Sequence, residues 1–122
     1  MKCKISCSFG EIVDKVTILN IKLQKATQTE VLNNIQKELS IITSENPSVK
    51  KEDELFEKLS IINQQLWNLE DMIREKSRKK EFDKQYIEYA ESIHKTNDKR
   101  YLIKRQINEK YSSELKEEKI YN

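Results

Sequence analysis

The chain has one glycine and one proline in 122 residues. Backbone punctuation is therefore scarce, and the ENPS stretch around Pro47 is the one clear loop in the first half. Two cysteines and a single histidine are present. Cys3 and Cys7 would lie roughly 13 Å apart on one side of an extended segment, too far to bridge each other. His94 is remote from both, so neither a metal site nor a cofactor is expected. No long apolar run occurs, so the expectation is no signal peptide, no membrane span and a cytoplasmic chain with reduced thiols. A charge excess is also missing. With 23 basic and 21 acidic residues the net charge is +2, which gives no field to draw the chain onto nucleic acid or an anionic membrane. The one basic cluster, Arg74 with Lys76, Arg78, Lys79 and Lys80, falls at the end of a helical pattern, where cations complement the helix dipole.

What the chain does have is charge and periodicity. Charged residues make up 36% and hydrophobic residues 36%, a balance that suits long helices with narrow apolar stripes. A core this thin is often completed by self-association, so a homodimer or other homo-oligomer is expected. The length allows one domain, residues 1–122.

Residues 1–7 alternate apolar and polar and predict an extended segment. SFGE then signals a helix start, with Ser8 as cap and Glu11 completing a capping box. Gly10 sits in the first turn; it marks either a close backbone contact or amides left open for an anion. Ile12, Val16, Leu19, Leu23 and Ala26 form one stripe, while Ile18 and Ile21 fall on the opposite side. That second face predicts contact with another helix and a second subunit. TQT at 27–29 predicts a kink or a re-capping, and Val31, Ile35, Leu39 and Ile42 lead a second helix that ends before Pro47. Helices one and two thus occupy 8–45. Leu55, Leu59, Ile62, Leu66, Leu69 and Ile73 keep a coiled-coil-like heptad stripe, placing helix three within 50–80. Phe56, Asn63, Trp67, Glu70 and Arg74 flank it. Helix four occupies 83–113, and 114–122 is a charged tail, either frayed helix or a strap over the bundle. The expected fold is all-α: a bundle of three to four helices, two long and antiparallel, plus a kinked N-terminal pair.

Helix four carries the anomaly. Tyr86, Ala90, Ile93, Asn97, Tyr101, Lys104, Asn108 and Tyr111 share one face, apolar in its first half and polar in its second. Either the helix breaks at Lys95-Thr96-Asn97-Asp98 and restarts, or it continues and the seam is a hydrogen-bonded polar layer. Buried amides and a lysine cost several kcal/mol unless partnered, so a layer needs carboxylates such as Glu70 or Asp14 opposite it. The absence of Gly and Pro from 83–111 favours the continuous helix.

The blocks SFGEIVDKVTILNIK, NQQLWNLEDMIR, IHKTNDKRYLIKRQIN and SELKEEKIY, in this order, resemble a family of small uncharacterised bacterial and phage helical proteins with a domain of unknown function. The resemblance maps shared motifs onto Gly10, Glu11, Asp14, Lys15, Thr17, Trp67, Glu70, Asp71, Thr96, Asn97, Asp98 and Arg100. Phe9 departs from it, standing where such proteins commonly carry proline. It implies no reaction.

Two functional readings follow from the residues. The first is a homo-oligomeric interaction or scaffold module, supported by the thin core and the two-faced first helix. The second is a binder, or enzyme, acting on a small anionic metabolite such as a phosphosugar at the polar seam. Its candidate residues are Glu11, Asp14, Lys15, Lys22, Trp67, Glu70, Arg74, Asn97, Arg100, Lys104, Arg105 and Asn108. A chorismate-mutase-like pocket would want several arginines at helical spacing, and the chain has only four. No catalytic residue is assigned, because no nucleophile and base can be paired from the sequence. A protein partner and a small anionic ligand both remain open.

Overall fold

In the computed structural model, which describes residues 1–121, four helices account for the architecture. They are α1 (Phe9–Lys25), α2 (Thr29–Glu45), α3 (Glu54–Arg78) and α4 (Lys84–Lys110). No strand occurs among the described residues, and the extended start at 1–7 pairs with no sheet. Lys2 and Lys4 instead reach Glu45 at the end of α2, each at 3.5 Å.

The helix starts follow local chemistry. The Asp53 carboxylate accepts from the Leu55 N–H at 2.8 Å and caps α3, and Asp83 accepts from the Tyr86 N–H at 3.0 Å and caps α4. Each satisfies a backbone donor that the helix itself leaves open. Between α1 and α2 the chain breaks at extended Ala26 and restarts at Thr29. Gln28 occupies the cap position and makes no side-chain bond, so neither threonine of TQT acts as the cap. At the other end of α2, the Asn46 side chain donates to the Ile42 carbonyl at 2.8 Å, closing the helix just before Pro47. The basic cluster serves the α3–α4 turn. Lys76 bridges Glu81 (3.1 Å) and Asp83 (2.9 Å), and Arg78 and Lys79 pair with Glu75.

α3 and α4 form an antiparallel hairpin: Lys110 meets Asp53 at one end, at 2.7 Å, and Lys76 meets Asp83 at the other. α1 packs against both helices, antiparallel to α4, and α2 lies on α1. The core is centred on Val13, Val16, Phe56, Leu59 and Ile107, with Phe9, Leu39, Ile42, Ile103 and Tyr111 against it. Phe9 fits that position because its ring meets Tyr111, centroids 4.8 Å apart. The heptad stripe of α3 faces inward, with Leu59, Ile62 and Leu66 buried.

The second face of α1 is partly covered within the single chain. Ile21 is 5% exposed within the single chain and Ile18 is half-buried. Of the two contacts expected for that face, the one with this chain's own elements is present at Ile21, while Ile18 keeps part of its surface open.

Candidate functional site

The polar seam of α4 is a continuous helix, with no break at 95–98, and two of its polar residues, Lys104 and Asn108, are partnered by α1. Asp14 is 1% exposed. Its carboxylate accepts from Arg100 Nε at 2.9 Å and Nη2 at 2.5 Å, and from Asn63 Nδ2 at 2.9 Å. Asn63 also donates to Thr17 Oγ1 at 2.8 Å, and that hydroxyl donates to the Asp14 carbonyl at 2.7 Å. The bonds to Asp14 raise the Arg100 guanidinium above its ordinary value. No buried side-chain nitrogen or oxygen among the described residues lacks a partner, which is the condition for such a layer to persist in a core.

One turn further along, Lys104 is 5% exposed. Its ammonium lies 2.8 Å from Glu11 on α1 and 3.2 Å from Glu117. Because Glu11 answers Lys104, the expected capping box is half made: Ser8 Oγ accepts from the Glu11 N–H at 3.3 Å, while the Glu11 carboxylate turns to α4. Asn108 closes the seam by accepting from the Gly10 N–H at 2.6 Å. The Phe9 N–H goes to Ser113 Oγ at 3.0 Å. The first amides of α1 are thus filled from the end of α4, and none is left for an anion. Gly10 marks a close backbone approach instead, since a Cβ there would stand 2.5 Å from the Lys104 carbonyl oxygen.

Over this layer lies a surface cleft of about 490 Å³. Its floor is α4 (His94, Asn97, Asp98, Arg100, Tyr101, Lys104) with Glu11 at one edge, and its other wall is Glu117, Glu118, Lys119 and Tyr121. Residues 114–121 form that wall as a non-helical strap running antiparallel to α4. α4 ends in a Schellman arrangement in which Ser112 takes the left-handed conformation (φ 51°) and the Ser113 N–H donates to the Asn108 carbonyl at 2.8 Å. Beyond it the strap is held mainly by side chains. Glu117 sits on Lys104, Lys119 meets Asp98 at 3.1 Å, and the Tyr121 hydroxyl donates to Asp98 at 2.6 Å. Hydrogen bonds from Tyr121 and Lys119 hold the Asp98 carboxyl below its usual range. Discounting the strap, the floor holds two carboxylates, Glu11 and Asp98, against two cations, Arg100 and Lys104. Charge is therefore ordered along the groove rather than in excess. Arg100 and Lys104 mark one end and Asp98 the other.

Four residues singled out in the sequence line the cleft: Glu11, Asn97, Arg100 and Lys104. Asp14 and Asn108 lie beneath it as supports. Arg105 is exposed and reaches the strap through Glu118 at 3.9 Å. The other five stand apart. Lys15 pairs with Glu38 of α2 at 3.0 Å, Lys22 is exposed, Trp67 is half-buried on α3, and Glu70 and Arg74 form an exposed pair at 3.6 Å. Glu70 does not answer the seam; Asp14 and Glu11 do. Not foreseen as members were His94, Asp98, Tyr101 and the strap residues. The i, i+3, i+4 spacing of His94, Asn97, Asp98 and Tyr101 was a signal for the floor, and the tail's alternating charge was one for the wall. Cys7 lies close enough to Glu11 for its thiol to be pushed up, first by burial and then by that carboxylate, so it is poorly suited to act as a nucleophile.

Fold and site together define a small all-α bundle with a buried ionic layer and a strap-covered groove. The chain belongs to the family described as "Family of unknown function (DUF6165)", whose profile matches residues 1–122. Neither a curated protein nor a solved structure matches it.

Proposed function

We propose that this protein is a helical interaction module that works by binding rather than by chemistry, and that its docking surface is the α4 groove. The observation that supports this is the groove's own occupant. An extended peptide segment lies along α4 and is read by side chains at three points: Glu117 on Lys104, Lys119 on Asp98, and Tyr121 on Asp98. A groove that orders charge in this way selects the spacing of acidic, basic and tyrosyl residues in an extended partner. The buried Asp14–Arg100–Asn63 layer fixes the floor, because side chains locked by buried bonds present the exposed ones in one geometry.

The experiment is an NMR titration of the full chain carrying K119D, which weakens its own strap, with a synthetic peptide SSELKEEKIY. The expected result is saturable shift changes confined to residues 94–104 of α4. Binding will be weak, because the tethered strap competes at an effective concentration in the millimolar range. Shift changes scattered over the whole surface, or none at millimolar peptide, would refute the groove reading.

A second reading is favoured by one detail. Arg100 engages Asp14 through Nε and Nη2 while lining the cleft, and Lys104 holds Glu117 as it would hold any anion. A small anionic metabolite that displaces Glu117 is the corresponding occupant. Titrating the full chain with inorganic phosphate or a sugar phosphate and following Glu117 and Lys104 distinguishes it from peptide docking.

A further inference from the structure

We propose that two copies of this chain exchange their straps, so that residues 117–121 of one copy fill the α4 groove of the other and complete its site. The proposal rests on the groove reading above and names the occupant: the one segment whose fit to the groove is seen is a segment every copy carries.

Three features support exchange. The first is how the strap is fastened. Ser113 is tied down at the root, since its Oγ accepts from the Phe9 N–H and donates to the Leu115 carbonyl at 2.7 Å. Past Leu115, the strap's hold on α4 comes from exposed ion pairs and tyrosyl bonds, apart from the partner shared with buried Lys104. Exposed pairs of this kind are individually weak. A firmly anchored root followed by a loosely held segment is the arrangement from which a segment can leave one groove and enter an identical one at little net cost.

The second feature is apolar exposure beside the strap. Leu102 is 56% exposed on α4, and Leu115 and Ile120 on the strap are 44% and 86% exposed. In the closed single chain these side chains stand in water, whereas two bundles joined across their straps bring a second surface against them. The third is charge. Glu117, Glu118 and Lys119 complement Lys104, Arg105 and Asp98 in that order, and a two-fold axis uses the same complementarity twice. In this arrangement the site is incomplete in one copy, because the partner supplies Glu117 and Lys119.

Exchange makes a prediction that folding back on the same chain does not. Asp98 and Lys119 are exposed enough for reversal to leave the bundle intact, with side-chain exposures of 57% and 32%. A chain carrying D98K has a groove that repels its own strap, and a chain carrying K119D has a strap that repels its own groove. Mixed, an exchanged heterodimer pairs the native strap with the native groove at one site and the reversed charges at the other. Sedimentation velocity and native mass spectrometry of the full-length chains, alone and mixed, read the outcome.

The native chain is expected to show a dimer at twice 14.6 kDa. Each variant alone should dimerise about tenfold more weakly, through two repulsive sites, and the mixture should recover the heterodimer. A native chain that stays monomeric at every concentration overturns the proposal. So does a dimer that both variants form as well as the native chain does, which places the interface elsewhere, and so does a mixture no more associated than its parts. If the SSELKEEKIY peptide shifts residues 94–104 while the mixture stays monomeric, exchange fails and the groove reading stands. If the peptide fails as well, both fall.

Discussion

Replacing Gly10 by alanine tests the joint on which the site is built. An alanine Cβ would lie 2.5 Å from the Lys104 carbonyl oxygen, 2.9 Å from Asn108 Oδ1 and 3.1 Å from the Lys104 carbonyl carbon. Two of these atoms are helix backbone and cannot swing aside. The third is the acceptor of the 2.6 Å bond from the Gly10 N–H, already fully engaged. Relief therefore requires α1 and α4 to separate by several tenths of an ångström. That opens the contact of Phe9 with Tyr111 and of Glu11 with Lys104. Forcing an extra methyl into packed backbone costs about 1–3 kcal/mol, and weakening a buried hydrogen bond adds about 1 kcal/mol. Alanine's better helix propensity returns at most about 1 kcal/mol, and less in a first turn. The net expectation is a loss of about 2–3 kcal/mol. Urea unfolding followed by helical circular dichroism should show it as a midpoint lowered by about 1–2 M at unchanged slope. An unchanged or higher midpoint would refute the close approach, and with it the account of how α1 holds Lys104 at the groove.

Three further outcomes follow from the same layer and from the opposite end of the bundle. Asp14→Ala leaves Arg100 and Asn63 without their acceptor, and breaking a pair this buried should cost about 3–5 kcal/mol by chemical denaturation; a loss under 1 kcal/mol would show that the layer is solvated. Asn108→Leu leaves the Gly10 N–H unsatisfied and overfills a site 1% exposed, so thermal unfolding should shift down rather than up. For Asp53, burial pushes the carboxyl up, but bonds from Lys110, Tyr111 and the Leu55 N–H outweigh it and hold the value at about 2 against an ordinary 3.8. A folded value below the unfolded one means stability that is complete above pH 4 and lost as pH falls from about 4 towards 2. After solvent screening at the exposed Lys110 the effect is on the order of 1 kcal/mol, and Asp53→Asn should flatten that part of the acid-unfolding curve relative to the native chain.

How much of this was legible in the sequence depends on the range of the interaction concerned. Helix starts at Ser8, Asp53 and Asp83 and the stop before Pro47 are written in a few adjacent residues: α1, α3 and α4 begin one residue after those caps, and α2 ends at Glu45, two residues before the proline. The heptad stripe from Leu55 to Ile73 needed only its own period to name the inner face of α3. The polar seam was visible as a misfit, Asn97, Lys104 and Asn108 in an apolar register, and the need for carboxylates opposite it was visible too, but not which ones: Asp14 was a candidate together with Glu70, and Glu11 was not a candidate for that place. Asp14 and Glu11 answer it from nearly ninety residues and more away, and nothing local separates them from Glu70, which is also acidic and helical and turns out to be exposed. The tail was harder still. The charged run SELKEEKIY reads equally as solvated helix, and only the placement of Asp98 and Lys104 on one face of α4 makes a strap of it. Ile18 and Ile21 told that α1 is touched on a second side, but not by what, because a helix covered on two sides by its own chain has the same apolar pattern as one that awaits a partner.

The layer and the groove make different demands, and their separation argues for a binding role. A bundle with a hydrophobic share of 36% gains little from placing Asp14, Asn63 and Lys104 in its interior with a half-buried Arg100 over them, since apolar residues of similar volume commonly serve stability as well or better. What the ionic layer supplies is register: Asp14 can meet Arg100 and Asn63 at once only when α1, α3 and α4 are aligned as they are. That alignment sets the spacing from Lys104 to Asp98 along the groove, the spacing that Glu117 and Lys119 match. Replacing the layer wholesale, with Asp14, Asn63 and Arg100 exchanged together for apolar residues, should therefore leave a folded bundle of equal or greater thermal stability whose groove no longer holds SSELKEEKIY in one set of shifts. A repacked bundle that still binds the peptide in the same way would show that the layer is only structural.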